Sequence, residues 1–150
     1  MQNIIDVSLE MTGPGHKKNI KDINGCAASL IIAKLAENED RNILVVTRNV
    51  QEATALEQEL IYCIGKDRVW YFPDPETLPY DSFSPHKDII SRRLEIMYQL
   101  TCRKGLVVLV NVTTLMGRLP PVDFILRESF LMKTGDRVDV QALKDRKSVV

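Results

Sequence analysis

Five apolar residues in succession, LVVLV at 106–110, constrain the fold of this chain more than any other feature. Such a run is apolar on both faces, which is typical of a central strand in a parallel sheet. NILVVT at 42–47 predicts another buried strand, and VWYFP at 69–73 predicts a third, ended by Pro73 because proline cannot donate to a ladder. Parallel strands need crossover helices, so the sequence predicts an α/β fold.

Helix-period apolar residues fill the segments between these runs. Asn49 with Glu52 three residues later resembles a capping pair and predicts the start of a helix that stops at Gly65. Ser84 as cap and Pro85 at the first position predict the start of another helix. The predicted buried helix positions are Ala28, Ile31, Ile32, Leu35 and Ala36; Ala53, Leu56, Leu60 and Ile64; and Ile90, Leu94, Met97 and Tyr98.

Composition excludes several classes of protein. Hydrophobic residues make up 45% and charged residues 27% of the chain, which predicts a soluble globular protein and not a disordered one. Twenty basic residues balance twenty acidic ones, so no global field attracts DNA or an acidic membrane. No apolar run approaches the roughly 18 residues of a spanning helix, and no secretion signal is visible, so a cytoplasmic location is expected.

The three cysteines, Cys26, Cys63 and Cys102, lie far apart and form no CxxC pair. No histidine lies close enough in the sequence to complete a metal set with any of them. They are therefore predicted to be reduced thiols in the core, and no metal site is predicted.

The stretch DINGCAASL at 22–30 has the outline of a phosphate loop, because a short turn leads into an apolar helix. A working loop reads GxxxxGK[ST], in which glycines let the backbone approach the phosphates, lysine neutralises them and Ser or Thr binds Mg²⁺. Aligned on that pattern, Asp22 and Ala27 replace the two glycines, Ala28 replaces the lysine, and Ser29 keeps the hydroxyl.

This degenerate loop, with Gly25 in its turn, lacks what a phosphate requires. The acid at position 22 repels phosphate, and no other lysine in the loop fills the missing place. We therefore predict that no nucleotide, metal or other cofactor binds here. The loop is expected to be an ordinary helix start in which Cys26 and Ala27 pack inward.

Other residues that could carry chemistry do not form a recognisable catalytic set. Glu76, Asp81 and His86 lie in the proline-rich loop at 73–88, where carboxylates are usually solvated turn formers. His16 is predicted to be an exposed linker residue, and no catalytic residue is predicted. Short basic clusters are expected to be solvated helix faces: Lys17, Lys18 and Lys21; Arg92 and Arg93; and Lys144, Arg146 and Lys147.

The stretch PETLPYDSFSPHKDIISRRLEIMYQL at 75–100 closely resembles a signature near the N-terminus of bacterial transcription-repair coupling factors (Mfd), which are large ATP-driven DNA translocases. Weaker resemblance extends over NGCAASLIIAKLAE, VVLVNVTTLMGRLPP and SFLMKTGDRVDVQAL, so it covers most of residues 20–145. The first twenty residues carry no match. The specific core of the signature is Glu76, Thr77, Leu78, Pro79, Tyr80, Asp81, Ser82, Phe83, Ser84, Pro85 and His86.

The resemblance implies a UvrB-like, helicase-like domain over residues 1–120, with a P-loop-type parallel sheet, flanking helices and a degenerate nucleotide loop. Residues 121–150 would open a small α+β domain that recruits UvrA. The family uses ATP and Mg²⁺ in a distant motor, and binds RNA polymerase and double-stranded DNA through other regions. The family's UvrA contacts align beyond Val150, so none is carried over to this chain.

On this reading the chain is a fragment of a larger factor and a non-catalytic scaffold for UvrA recruitment, with no membrane partner. Its role is in transcription-coupled nucleotide excision repair. Two alternatives stay open: a nucleotide-binding P-loop enzyme with an atypical loop, and a free-standing repair adaptor of 150 residues. The enzyme should offer a substitute Lys or Arg at the loop and an acid for Mg²⁺, and the sequence offers neither.

Overall fold

The computed structural model describes residues 15, 17, 19–38, 40–76 and 86–128. Their backbone alternates helices with parallel strands, as the sequence predicts. The elements are α1 (Ala27–Asn38), β1 (Ile43–Thr47), α2 (Val50–Ile64), a 3₁₀ turn (Lys66–Arg68), β2 (Val69–Phe72), α3 (Lys87–Cys102), β3 (Val107–Asn111), α4 (Val112–Leu115) and α5 (Val122–Glu128). No helix among these residues is long and apolar enough to cross a membrane.

The three strands form one parallel sheet in the order β1-β3-β2. The predicted central strand is confirmed, because β3 lies in the middle and all five of its residues are buried. Val107 stands level with Ile43 on one side and with Val69 on the other. The fold is thus α/β with a small three-stranded parallel sheet and flanking helices.

Each face of the sheet carries its own apolar core. On one face, Val107 and Leu109 pack with Ala33 and Ala36 of α1 and Leu60 of α2. On the other face, residues of β2 and β3 pack under α3, around Ile96, Phe72, Val108 and Val110. Side chains alternate across each strand, so successive residues of β2 and β3 belong to the two different cores.

The prediction that β1 is a buried strand is only half right. Ile43 and Val45 pack into the core beneath α1 and α2, but Leu44 and Val46 are 56% and 49% exposed on the opposite face. The physical reason is position, because β1 lies at the edge of the described sheet and α3 covers only β2 and β3 on that face.

The predicted capping pair of α2 is confirmed. The Asn49 side chain accepts a hydrogen bond from the Glu52 amide at 2.8 Å, and the helix ends at Gly65, whose φ of +85° suits glycine. The Glu52 carboxylate accepts from the Arg48 amide at 2.9 Å. That backbone hydrogen bond, helped by the Arg48 guanidinium, lowers the pKa of Glu52.

The start of α3 differs from the prediction, and so does its buried face. The helix begins at Lys87 with His86 as N-cap, whereas Ser84 and Pro85 lie outside the described residues. Ile90 was expected in the core but is exposed, and Ile96 is the buried residue of this helix. In the structure α3 packs on β2 and β3 through Ile96, with Met97 and Leu100 partly buried beside it.

The prediction of core thiols is wrong, since Cys26, Cys63 and Cys102 are all exposed. All three are free thiols, as expected. Cys26 directly precedes α1, Cys63 lies in the last turn of α2 and Cys102 is the last residue of α3, and each of these positions is exposed to solvent.

The predicted division between residues 1–120 and 121–150 falls directly before α5, which packs against α3 and buries Ile125. Residues 129–150 lie outside the described part of the chain. The division into 1–120 and 121–150 therefore stays a prediction.

Candidate functional site

The degenerate loop forms a tight turn into α1. Asp22 and Gly25 have positive φ values of 59° and 58°, and the Ala27 amide donates to the carbonyl of Asn24 at 3.3 Å. Glycine adopts such a φ readily, and Asp is one of the few other residues that tolerate it, so both residues suit a tight turn. The loop keeps the turn geometry that its sequence suggested while carrying an acid at the turn.

Ser29, the one phosphate-loop residue that the sequence retains, is directed into the protein. Its side chain is 1% exposed, and its hydroxyl donates to the Cys26 carbonyl at 2.7 Å. This bond uses the single O–H donor of the hydroxyl, and burial keeps its oxygen lone pairs away from solvent. Ala27 and Ala28 are half-buried, and the expectation that Cys26 packs inward is wrong because this residue is exposed.

A polar cluster lies at the carboxyl ends of the parallel strands, which is where α/β proteins usually bind ligands. Thr47 ends β1, Asn111 ends β3, and Thr114 follows in α4; all three are buried. The side-chain oxygen Oδ1 of Asn111 accepts from the Thr114 amide at 2.7 Å and from the Thr113 hydroxyl at 2.8 Å. Sequence reasoning missed this cluster, although a polar residue directly after each apolar strand was a visible signal.

Asp74, two residues beyond β2, joins this cluster. Its carboxylate accepts from the Thr114 hydroxyl at 2.8 Å and from the Glu76 amide at 3.0 Å. Partial burial raises the pKa of Asp74, but these hydrogen bonds and the nearby Arg93 charge outweigh burial, so the pKa is lowered overall. Asp74 therefore carries a negative charge that ties the exit of β2 to α4.

Arg93 closes the cluster from α3. Its guanidinium lies 4.2 Å from the centre of the Phe72 ring and donates to the carbonyl of Pro73. Burial lowers the pKa of Arg93, and the charge of Asp74 opposes that effect. The prediction that Arg92 and Arg93 form a solvated face is thus wrong for Arg93, which is half-buried.

Arg92, one residue earlier, lies 4.5 Å from the centre of the Trp70 ring and pairs with Glu95 at 3.0 Å. Two successive arginines therefore cover two aromatic residues of β2. Such cation–π contacts stabilise the docking of α3 on the sheet.

One end of the family signature lies at this cluster. Glu76 has a φ of 58°, and its amide donates to Asp74, so the signature begins at the polar cluster. At its other end, the His86 side chain accepts from the Asp88 amide at 3.4 Å and caps α3. Positions 77–85, including Asp81, lie outside the described residues, as does His16. The prediction that Glu76, Asp81 and His86 are not catalytic stays a prediction.

The polar side chains of the cluster at the strand ends form hydrogen bonds with other groups of the protein. Within the described residues, every buried side-chain nitrogen and oxygen has a hydrogen-bond partner. No group of three or more His, Cys, Asp and Glu side chains in that part of the chain comes together as metal ligands. The cluster connects the end of β2 with α4 through Asp74 and with α3 through Arg93.

A shallow cleft lies at the opposite edge of the sheet, between the residues that precede β1 and the end of α3. Asn42 forms its floor, donating to the carbonyls of Leu100 at 3.3 Å and Arg103 at 3.0 Å and accepting from the Leu106 amide at 3.1 Å. The side-chain NH₂ group of Asn42 donates both bonds and its side-chain oxygen accepts the third. Asn42, which we call the Asn42 clamp, therefore connects the start of β1 with the end of α3 and the start of β3.

The fold is α/β, and the turn before α1 leads into a helix whose Ser29 hydroxyl donates to the Cys26 carbonyl. No family model matches the chain. It is 36% identical over 130 residues to the transcription-repair-coupling factor of Escherichia coli, covering 87% of this chain and 11% of that protein. It is 35% identical over 133 residues to the factor of Haemophilus influenzae, covering 89% of this chain and 12% of that protein.

A more distant factor, that of Bacillus subtilis, is 22% identical over 124 residues. The chain is therefore related to the N-terminal region of the transcription-repair-coupling factors, and the resemblance stated from its sequence is confirmed. It spans 8 to 12% of the length of the curated relatives that it matches.

Proposed function

We propose that this chain is a non-catalytic scaffold region of a transcription-repair-coupling factor. Its relatives bear that name, which supports a role in DNA repair coupled to transcription. In this proposal the chain neither binds nor hydrolyses ATP, and the ATP- and Mg²⁺-dependent motor belongs to another part of the parent protein.

The state of Ser29 is the observation that carries the proposal. A Ser or Thr at this place in a working phosphate loop offers its hydroxyl to Mg²⁺. Here the hydroxyl is buried and donates to the Cys26 carbonyl, while Ala28 stands where a lysine would neutralise phosphate. Asp22 adds a negative charge at the turn. Together these features support a loop that has only a structural role.

The architecture supports a helicase-like, UvrB-like origin of this scaffold. A parallel sheet with a buried central strand and helices on both faces is the arrangement that a P-loop-type domain uses. In our proposal the polar cluster around Asp74 connects Glu76, the first residue of the signature core, with α4.

For the whole factor we propose the partners that the resemblance implies: UvrA through the domain that begins at 121, and RNA polymerase and double-stranded DNA through other regions. The present chain would hold the recruiting domain in place. A bacterial cytoplasmic location is part of the same proposal.

Titration of the purified chain with fluorescently labelled ATP and Mg²⁺ tests the non-catalytic part of the proposal. We expect no saturable binding by the natural chain or by Ser29→Ala, because Ser29 is buried and Ala28 supplies no positive charge for phosphate. Ser91→Ala, at an exposed position on α3, is the matched control. Micromolar affinity that Ser29→Ala abolishes and Ser91→Ala preserves would overturn the proposal.

A pull-down with purified UvrA tests the scaffold part. We expect weak or no capture by residues 1–150, because the family's UvrA contacts align beyond Val150. Stoichiometric capture at low micromolar concentration would place contacts within this chain and would contradict the proposed division of labour.

A further inference from the structure

The turn before α1 contains the one asparagine of this chain that is followed by glycine. Asn24 and Gly25 form that pair, and each of the other six asparagines precedes Ile, Val or Glu. The backbone nitrogen of the residue after an asparagine can attack the side-chain amide, and glycine favours this reaction because it has no side chain to shield the nitrogen. The sequence therefore singles out Asn24.

The attacking nitrogen at Gly25 lies in open surroundings. Asn24 and Gly25 are both exposed, and a Cβ placed on Gly25 would meet no atom of the described residues within 4 Å. The hydrogen bond of the turn joins the Ala27 amide to the Asn24 carbonyl at 3.3 Å, so it does not occupy the Gly25 amide. The turn therefore has room for a cyclic product and for water.

The side chain of Asn24 is held more weakly than those of the asparagines that serve the fold. Its NH₂ group donates to the Asp22 carbonyl at 3.5 Å, which is longer than the usual N–H···O distance of about 2.9 Å. By contrast, Asn42 forms the Asn42 clamp, Asn49 caps α2 at 2.8 Å, and Asn111 is buried and accepts two hydrogen bonds. Asn24 can turn its amide toward Gly25 without breaking a bond of that kind.

We propose that Asn24 is a deamidation site, at which the chain modifies itself with water as the co-reactant. The Gly25 nitrogen forms a bond to Cγ of Asn24, the bond from Cγ to Nδ2 breaks, and the proton of the Gly25 amide leaves with ammonia. Water then opens the cyclic imide at one of its two carbonyl carbons. Opening at Cγ gives aspartate, and opening at the backbone carbonyl carbon gives isoaspartate.

The two products change the turn in different ways. Both add a negative charge to a turn that already carries Asp22. Isoaspartate also inserts one extra carbon into the main chain and converts the carbonyl that accepts from the Ala27 amide into a free carboxylate. Isoaspartate therefore alters the backbone of the turn into α1, whereas aspartate preserves it.

Incubation of the purified chain in neutral buffer, followed by proteolysis and mass spectrometry, tests the proposal. We expect amide-to-acid conversion at Asn24 to be several-fold faster than at Asn19, which is also exposed but precedes the β-branched Ile20. The two positions are compared in the same molecule, so the comparison needs no variant. The rate at Asn24 should rise with pH, because the deprotonated amide nitrogen is the attacking species.

The products at position 24 separate this reaction from simple hydrolysis of the side chain. We expect isoaspartate, detected by labelling with an isoaspartate methyltransferase, whereas direct hydrolysis would give aspartate alone. Asn24→Gln, whose longer side chain would have to close a larger ring, is the control and should give no labelled product at position 24. Conversion at Asn24 that is no faster than at Asn19 would overturn the proposal, and so would conversion that yields no isoaspartate.

Discussion

At the scale of single residues, Asp74 makes contacts with several elements in the polar cluster at the strand ends. It accepts hydrogen bonds from Thr114 and Glu76 and lies near Arg93, so it connects α4, the signature loop and α3. In the sequence Asp74 is one acid among prolines, which is the usual composition of a solvated turn. Only the fold shows that its partners include a threonine forty positions later.

We expect Asp74→Asn to lower the free energy of unfolding by about 1 kcal/mol at pH 7, because the carboxylate loses charge-assisted hydrogen bonds at a partly buried position. Urea unfolding followed by the fluorescence of Trp70, the single tryptophan, measures this change. Asp67→Asn, at an exposed acid in the 3₁₀ turn, is the control and should change stability little.

The difference in the free energy of unfolding between the natural chain and Asp74→Asn should depend on pH. The folded pKa of Asp74 is lowered from its ordinary value of 3.8, so its contribution is complete above that value and disappears as pH falls through the folded pKa. The difference between the natural chain and Asp74→Asn should therefore shrink as the pH falls below 3.8. A difference that stays constant to the lowest pH at which both proteins fold would contradict this assignment.

At the scale of elements, helix α2 depends on its N-cap. Asn49→Ala removes the acceptor of the Glu52 amide, and we expect a loss of about 1 kcal/mol in the free energy of unfolding. Gln58→Ala, at an exposed position within the same helix, is the control. Equal urea midpoints for the natural chain and Asn49→Ala would show that water replaces the cap.

The clamp formed by Asn42 holds the amino edge of the sheet together. Asn42→Ala leaves the amide of the buried residue Leu106 without this partner, and we expect a loss of about 1–3 kcal/mol. Asn24→Ala, which removes one long, exposed side-chain hydrogen bond of 3.5 Å, should cost much less. If the two variants have the same unfolding midpoint, the clamp does not stabilise the fold.

The elements were largely predictable because they depend on local pattern. Three apolar runs became three parallel strands, and the Asn49–Glu52 pair and Gly65 marked the ends of α2. The exposure of Leu44 and Val46 was not predictable, since strand order depends on crossovers and not on the composition of the strand. The polar cluster was missed for a similar reason.

The cluster residues come together only through the sheet. The Thr47 hydroxyl, for example, reaches the Val110 carbonyl from 63 positions away, at 3.4 Å. A single sequence shows that each strand is followed by a polar residue, but not that these residues share one edge. Likewise, the apolar pattern of α3 did not define which face of the helix turns toward the sheet. Ile90 was therefore expected in the core, whereas Ile96 is the residue that is buried there.

At the scale of the whole molecule, the chain is a small parallel sheet with a core on each face and a relationship to the transcription-repair-coupling factors. Our account is that the turn before α1 keeps the shape of a phosphate loop and has lost its function. In our proposal the Ser29 hydroxyl donates to the Cys26 carbonyl at the start of α1 and holds no Mg²⁺.

Thermal and urea unfolding with and without Mg²⁺ and ATP tests this claim most directly, because any ligand of the folded state must stabilise it. A site with a Kd of about 10 μM would add roughly 2.7 kcal/mol to the free energy of unfolding at about 1 mM nucleotide. We predict no change for the natural chain or for Ser29→Ala. Stabilisation of the natural chain by Mg²⁺ and ATP that is lost in Ser29→Ala would contradict the account.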